Sequence, residues 1–199
     1  MSKFMTLFSI VLILSFSINV TAQEKNNESP NISMTKQLDL GESADAPQIG
    51  DRYTKKTFED WDLVCIRIEA EKDPCSLSQI LEDETGNPTA EVSIFRIEGQ
   101  GQAVAAGTII VPLETLLTAK LTISVEGATG KRYNYSYCNQ IGCVVQVGFT
   151  KEDVEAFRTG IDAIVEIVPA PAPEKLISLD MSLRGFASGY KEVDIVKAN

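Results

Sequence analysis

The stretch YCNQIGCVVQVGF, Tyr137 to Phe149, carries two cysteines separated by Asn139-Gln140-Ile141-Gly142 and then alternates apolar with polar side chains. A period of two sends successive side chains to opposite faces of a strand, so Cys143, Val145, Val147 and Phe149 share one face. Asn and Gly tolerate positive φ, which suits the intervening residues to reverse the chain and bring the cysteines within disulfide reach. The stretch reads as a closed hairpin corner feeding a half-buried strand.

The same period recurs on either side of it. Trp61–Ile68, Cys75–Leu81, Glu91–Ile97, Val104–Val111, Leu121–Val125, Arg132–Tyr137, Ala163–Val168 and Lys175–Leu183 are short strand-like runs, and turn residues at Glu84–Pro88 and Glu126–Gly130 punctuate them. About nine short strands in roughly 150 residues predict an all-β fold, an antiparallel β-sandwich. Trp61, the single tryptophan, is in phase with Leu63 and Cys65 and is expected in the core. Two short helices interrupt the pattern. Thr150 is placed as an N-cap before Lys151-Glu152-Asp153, with Val154 and Phe157 on one face and Gly160 at the end. Pro112–Leu117 predicts a second helical turn that directs Leu113, Leu116 and Leu117 into the core.

The N-terminus sets the compartment. Lys3 precedes an apolar run, Phe4 to Val20, and Val20-Thr21-Ala22 ends in small residues, the layout of a cleaved export signal over residues 1–22. A run of about 17 residues with polar interruptions lies at the lower edge of what spans a bilayer, so no membrane span is expected after cleavage. Residues 23–50 are polar and rich in Asn, Ser, Glu and Pro, which predicts a disordered tail. Residues 51–199 are then a single domain, exported to the periplasm, the outer envelope or the medium.

Composition prunes the chemistry. The chain has 18 Lys and Arg against 28 Asp and Glu, a net charge of −10, which repels nucleic acid and offers no basic stripe for phosphates. It has no histidine, so Ser-His-Asp and Cys-His nucleophiles, His-based zinc sites and imidazole proton transfer are all excluded. Glu82-Asp83-Glu84 with Asn87 misses the spacing of a calcium loop and is expected as a solvated hairpin tip. No residue is singled out as catalytic, no metal site is expected, and no cofactor motif is present.

The four cysteines, Cys65, Cys75, Cys138 and Cys143, are an even set in an exported chain, which predicts two disulfides. Neither pair has the CxxC spacing of a redox site. Asp73-Pro74 offers a bend before Cys75, so the expected pairing is local, Cys65 with Cys75 and Cys138 with Cys143. Loop entropy favours the crossed pairings, but turn geometry brings the local pairs together. Tyr133, Tyr135 and Tyr137 alternate on one face of the strand leading into Cys138, as a half-buried sheet edge or as a contact surface for another protein.

Phe58-x-x-Trp61-x-x-x-Cys65, Cys75-x-Leu77-x-Gln79, Val111-Pro112-Leu113, Cys138 with Gly142-Cys143, and Ser182-Leu183-x-Gly185-Phe186 follow one another in an order that resembles the invasion-associated locus B family of exported bacterial proteins. The resemblance spans Phe58 to Phe186. It implies a single β-sandwich of immunoglobulin-like appearance in the periplasm or outer envelope, with no catalytic residues to carry over. Some members are linked to entry into host cells. The family's C-terminal segment continues as a short helix of Ala and Leu character, from which Ala187-Ser188-Gly189-Tyr190 departs. The function expected is that of a noncatalytic envelope protein that binds another protein, as an accessory or virulence-linked factor. The alternative is a small periplasmic enzyme or ligand-binding module built on carboxylates or tyrosines.

Overall fold

In the computed structural model, which describes residues 41, 43–98, 101–126 and 128–197, the alternating runs become strands of two sheets. In chain order these are β1 (Arg52–Phe58), β2 (Trp61–Ile66), β3 (Cys75–Glu82), β4 (Pro88–Glu98), β5 (Ala103–Val111), β6 (Leu121–Val125), β7 (Lys131–Tyr133), β8 (Tyr137–Asn139), β9 (Gly142–Thr150), β10 (Asp162–Ile167), β11 (Ile177–Ser182) and β12 (Ile195–Lys197). Two α-helices, α1 (Lys151–Thr159) and α2 (Phe186–Glu192), accompany them among the described residues. The larger sheet runs β1-β2-β3-β4-β5-β9-β8 and the smaller β11-β10-β6-β7. All of these pairings are antiparallel; β12 alone runs parallel, against the Arg96–Glu98 end of β4, beyond the last residue of β4 that pairs with β3.

The inner faces of the sheets supply one buried cluster. Leu63, Leu77, Val92, Ile94, Ile109 and Val145 come from the larger sheet, and Leu121, Val165, Leu179 and Met181 from the smaller. Burying each such aliphatic side chain stabilises the fold by roughly 1.5–3 kcal/mol before entropy is counted. This is the all-β antiparallel sandwich that the alternation predicts. No helix among the described residues is long and apolar enough to cross a membrane.

Helix α1 begins as its sequence requires. The Thr150 hydroxyl accepts from the Asp153 amide while the Asp153 carboxylate accepts from the Thr150 amide, which satisfies two donors that a helix start leaves open. Val154 and Phe157 are its buried residues.

Two expectations fail at loops. Phe186, which its place after Gly185 and the Lys175–Leu183 run predicts to lie buried in a terminal strand, opens α2, and the Ala187–Tyr190 segment that departs from the family's Ala and Leu composition forms this helix nonetheless. Gly185 turns the chain with φ 83, and a Cβ there would lie 1.8 Å from the Phe58 carbonyl oxygen. A left-handed residue against another strand's backbone ends β-structure and sends Phe186 inward, where it is 0% exposed. The second failure is the helical turn at Pro112–Leu117. Glu114 has φ 68, the Leu116 amide donates to the Val168 carbonyl at 2.7 Å, and the Ala170 amide donates to the Glu114 carbonyl at 2.6 Å. The backbone groups a helix would need are spent on the 168–170 segment. What remains is a 3-10 turn at Leu117–Ala119, with Leu113 51% and Leu117 44% exposed.

The edge strand β1 is bulged between Thr54 and Lys56 and leaves Lys55 and Lys56 exposed. The expected export signal at 1–22 and most of the expected disordered tail at 23–50 lie outside the described residues. At the tail's end, the Gly50 amide donates to the Arg67 carbonyl at 2.8 Å.

Candidate functional site

The disulfides lie where strand register brings facing residues together. Cys65 and Cys75 oppose each other across β2 and β3 and are bonded, with Cα atoms 4.1 Å apart. Cys138 and Cys143 oppose each other across the β8–β9 hairpin and are bonded, with Cα atoms 4.0 Å apart. Facing antiparallel residues supply that closeness without further bending. In the hairpin loop the Asn139 side-chain oxygen accepts from the Ile141 amide at 2.9 Å, and Gly142 presses onto β5 so closely that a Cβ would meet the Val111 carbonyl oxygen at 2.3 Å. Cys65, Cys75 and Cys143 are buried and Cys138 is exposed.

The tyrosine stripe is not one strand face. Tyr133 ends β7 in the smaller sheet and Tyr137 opens β8 in the larger, so the chain changes sheet between them. Local alternation continues through the crossover although the hydrogen-bonding partner changes. Tyr133 and Tyr135 are half-buried and pack against the core, and Tyr137 is 52% exposed. The Tyr135 hydroxyl is buried without a hydrogen-bond partner, and burial pushes it up to about 12. Of the three, Tyr137 is the most exposed.

The larger sheet holds a different candidate on its outer face, turned away from the smaller sheet. Val64 and Ile66 of β2, Phe95 of β4, Ile110 of β5 and Val196 of β12 line a cavity of 480 Å³. It adjoins a polar cavity of 290 Å³, lined among others by Asp60, Asp62 and Ser78, and the two share Arg52, Val64 and Glu91. Together they form a trough with an apolar end and a polar end. The Arg52 guanidinium and the Glu91 carboxylate pair at the boundary. Arg52 is on β1 and Glu91 on β4, so this pair bridges β2 and β3 across the face.

Each carboxylate at the polar end is held by donors. Glu91 is below the usual carboxylate range, first because of the Arg52 hydrogen bond and further through Ser78 and Ser93. Asp60 is lowered by the Ser182 hydroxyl at 2.7 Å and then by Arg184. Asp62 accepts from the Thr57 hydroxyl at 2.6 Å. At the hairpin tip, Asp83 accepts from the Thr85 hydroxyl and from the Asn87 amide, which hold it well below the usual range; its role there is to close the turn.

Sequence reasoning missed the trough, although a signal was present. β5 reads AVAAGTIIV, and β2 places Val64 and Ile66 opposite its core positions, so both strands are apolar on two faces. In an antiparallel sheet with one packed face, an apolar second face marks a further surface that is shielded from water or meets a ligand. The Arg52–Glu91 pair, 39 residues apart in sequence, carries no such signal.

Comparison with known proteins agrees with this architecture. The family model described as "Invasion associated locus B (IalB) protein" matches residues 61–194. Two curated relatives, both named as invasion protein B homologues and both from Brucella abortus (strain 2308 and biovar 1 strain 9-941), are 20% identical over 139 residues, covering 70% of this chain and 78% of theirs. The crystal structure of invasion associated protein b from Bartonella henselae superposes with a TM-score of 0.58 at 23% identity, covering 69% of this chain and 92% of that one, and so shares the fold. With the family model spanning the sandwich from Trp61 on β2 to Asp194 beside β12, this chain belongs to the invasion-associated locus B family.

Proposed function

We propose that the protein is an exported, noncatalytic binding protein of the bacterial envelope that engages another protein through the outer face of its larger sheet. The observation that carries this reading is the trough: Ile66 is 43% and Val196 47% exposed beside half-buried Val64, Phe95 and Ile110, an apolar surface on the outer face of the sheet and rimmed by charge. Protein interfaces combine such an apolar centre with a polar rim. Two disulfides support an oxidising destination and thus an export signal at 1–22, with 23–50 as a disordered tail ahead of the domain. The carboxylates with displaced titration are lowered by hydrogen bonds, the opposite of a general acid poised near neutrality, which supports binding over catalysis. The relatives named for invasion favour a partner in the envelope or on a host surface.

The test is cross-linking capture from native envelope and from host-cell surfaces, with wild type, Val64→Asp, Ile110→Asp and Tyr137→Ala as bait. Capture should be lost with either aspartate variant at unchanged melting temperature and kept with Tyr137→Ala. Capture that survives both aspartates refutes the trough as the contact surface.

A further inference from the structure

The trough is divided by a side-chain strap whose two halves are held unequally. Both terminal nitrogens of Arg52 donate to the two carboxylate oxygens of Glu91. The arginine side chain is 53% exposed and the glutamate side chain 22%. Glu91 is fixed from the sheet as well: the Ser78 hydroxyl donates to it at 3.1 Å and the Ser93 hydroxyl lies at 3.5 Å. Arg52, by contrast, is the first residue of an edge strand and reaches over two strands to arrive. An ion pair with so exposed a member contributes little beyond what another cation would supply, so Arg52 is readily exchanged. A half-buried carboxylate left without a cation is costly, so whatever opens the strap must replace the guanidinium.

The surroundings select the replacement. Asp60 and Asp62 line the polar end next to Glu91; Arg184 pairs with Asp60 and Arg52 with Glu91, which leaves one carboxylate in excess here in a chain at −10 as a whole, so a cationic group is drawn to this end and an anionic one repelled. The carboxylate already accepts two parallel N–H bonds, the geometry that guanidinium supplies and ammonium does not. The apolar cavity begins on the other side of the strap, sharing Val64 and Glu91 with the polar one. In an extended peptide, side chains two residues apart lie on the same face about 6.8 Å from each other, enough for one to sit on Glu91 while the next enters the apolar end.

Resting on the reading of the trough as a protein-docking surface, we propose that its occupant is an extended segment of the partner in which an arginine displaces Arg52 from Glu91 and an apolar residue two positions away fills the pocket of Val64, Ile66, Phe95 and Ile110. Arg52 is then an internal stand-in for the partner's arginine, and its release is coupled to docking.

The test is a phage-displayed random peptide library panned against the full mature chain as wild type and as Arg52→Ala, with enriched sequences made synthetically and titrated onto both and onto Glu91→Gln, Val64→Asp and Ile110→Asp. Enriched peptides should carry arginine two residues from a large apolar side chain. They should bind Arg52→Ala about fivefold more tightly than wild type, because the competitor is gone. They should bind Glu91→Gln about tenfold or more weakly, because a bidentate charged pair is lost. Peptides with acidic or neutral consensus that are lost on Val64→Asp and Ile110→Asp would overturn the arginine inference and leave the docking face standing. Peptides indifferent to both aspartates, or no enrichment on either bait, would overturn the docking face and this inference with it.

Discussion

The ring of Phe186 meets that of Trp61 edge-on, with centroids 5.4 Å apart. Phe157 of α1 approaches the same ring at 5.6 Å and Tyr190 stacks on it at 5.4 Å, so one side chain joins β2 to both helices. Phe186→Ala should cost roughly 3–5 kcal/mol, the range for truncating a fully packed aromatic. Urea denaturation measures it, and Phe186→Leu should lose distinctly less.

Gly185 and Gly86 both have positive φ, +83 and +82, but differ in surroundings. At Gly86 the nearest atom to an added Cβ is a Glu82 carboxylate oxygen at 3.9 Å; at Gly185 it is the Phe58 carbonyl oxygen at 1.8 Å. Gly86→Ala should therefore cost about 1–2 kcal/mol from backbone strain alone. Gly185→Ala should cost clearly more, because strand β1 or the start of α2 must move. Equal losses in paired denaturation curves would show that the contact is relieved freely.

Local disulfides predict local peptides. Cleavage between Cys75 and Cys138 under nonreducing conditions should yield no cross-linked peptide joining the two halves. Loops closing over separations of 10 and 5 residues are worth about 2–3 kcal/mol each in chain entropy. On mild reduction, alkylation should reach Cys138 and Cys143 first, because Cys138 is exposed whereas Cys65 and Cys75 are both buried.

Asp73 supplies a pH signature. It is 8% exposed and accepts from the Tyr53 hydroxyl at 2.7 Å, the Ile68 amide at 3.1 Å and Arg67 at 3.1 Å. These bonds, that of Tyr53 first, hold its carboxyl below the ordinary value. A carboxyl lowered by folding contributes fully above its unfolded value, near 3.9, and the contribution is lost as pH falls through the folded value. Asp73→Asn should lower the melting temperature at neutral pH, and the gap from wild type should close as pH drops below about 4. A gap constant across that range would mean that the charge of Asp73 does not stabilise the fold.

Patterns decided within a few residues were legible in the sequence, and arrangements decided by distant partners were not. Alternation through Trp61, Leu63 and Cys65 found β2, and Thr150 with Asp153 found the start of α1, because each is written locally. β1 was missed because RYTKKTF is an edge strand with little apolar content. The change of sheet between Tyr133 and Tyr137 leaves the period intact and so leaves no mark. Helix α2 has seven residues and no side-chain cap, with Gly185 as its N-cap, so composition could not announce it. The trough needed β1 to β5 and β12 in one sheet before its lining existed.

The bulge in β1 bears on how such a strand-rich chain withstands crowding. A flat, apolar outer strand would invite a second copy to add its own strand, then a third, and so seed fibrils. Here the register breaks at Lys55, Lys55 and Lys56 face solvent, and the Lys56 ammonium folds over the Phe58 ring at 4.5 Å from its centroid, masking the apolar residue at the strand's end. A copy approaching edge to edge meets a kink and two like charges instead of a straight template. The strand's edge is thus guarded against adding copies of itself while the outer face of the larger sheet stays open.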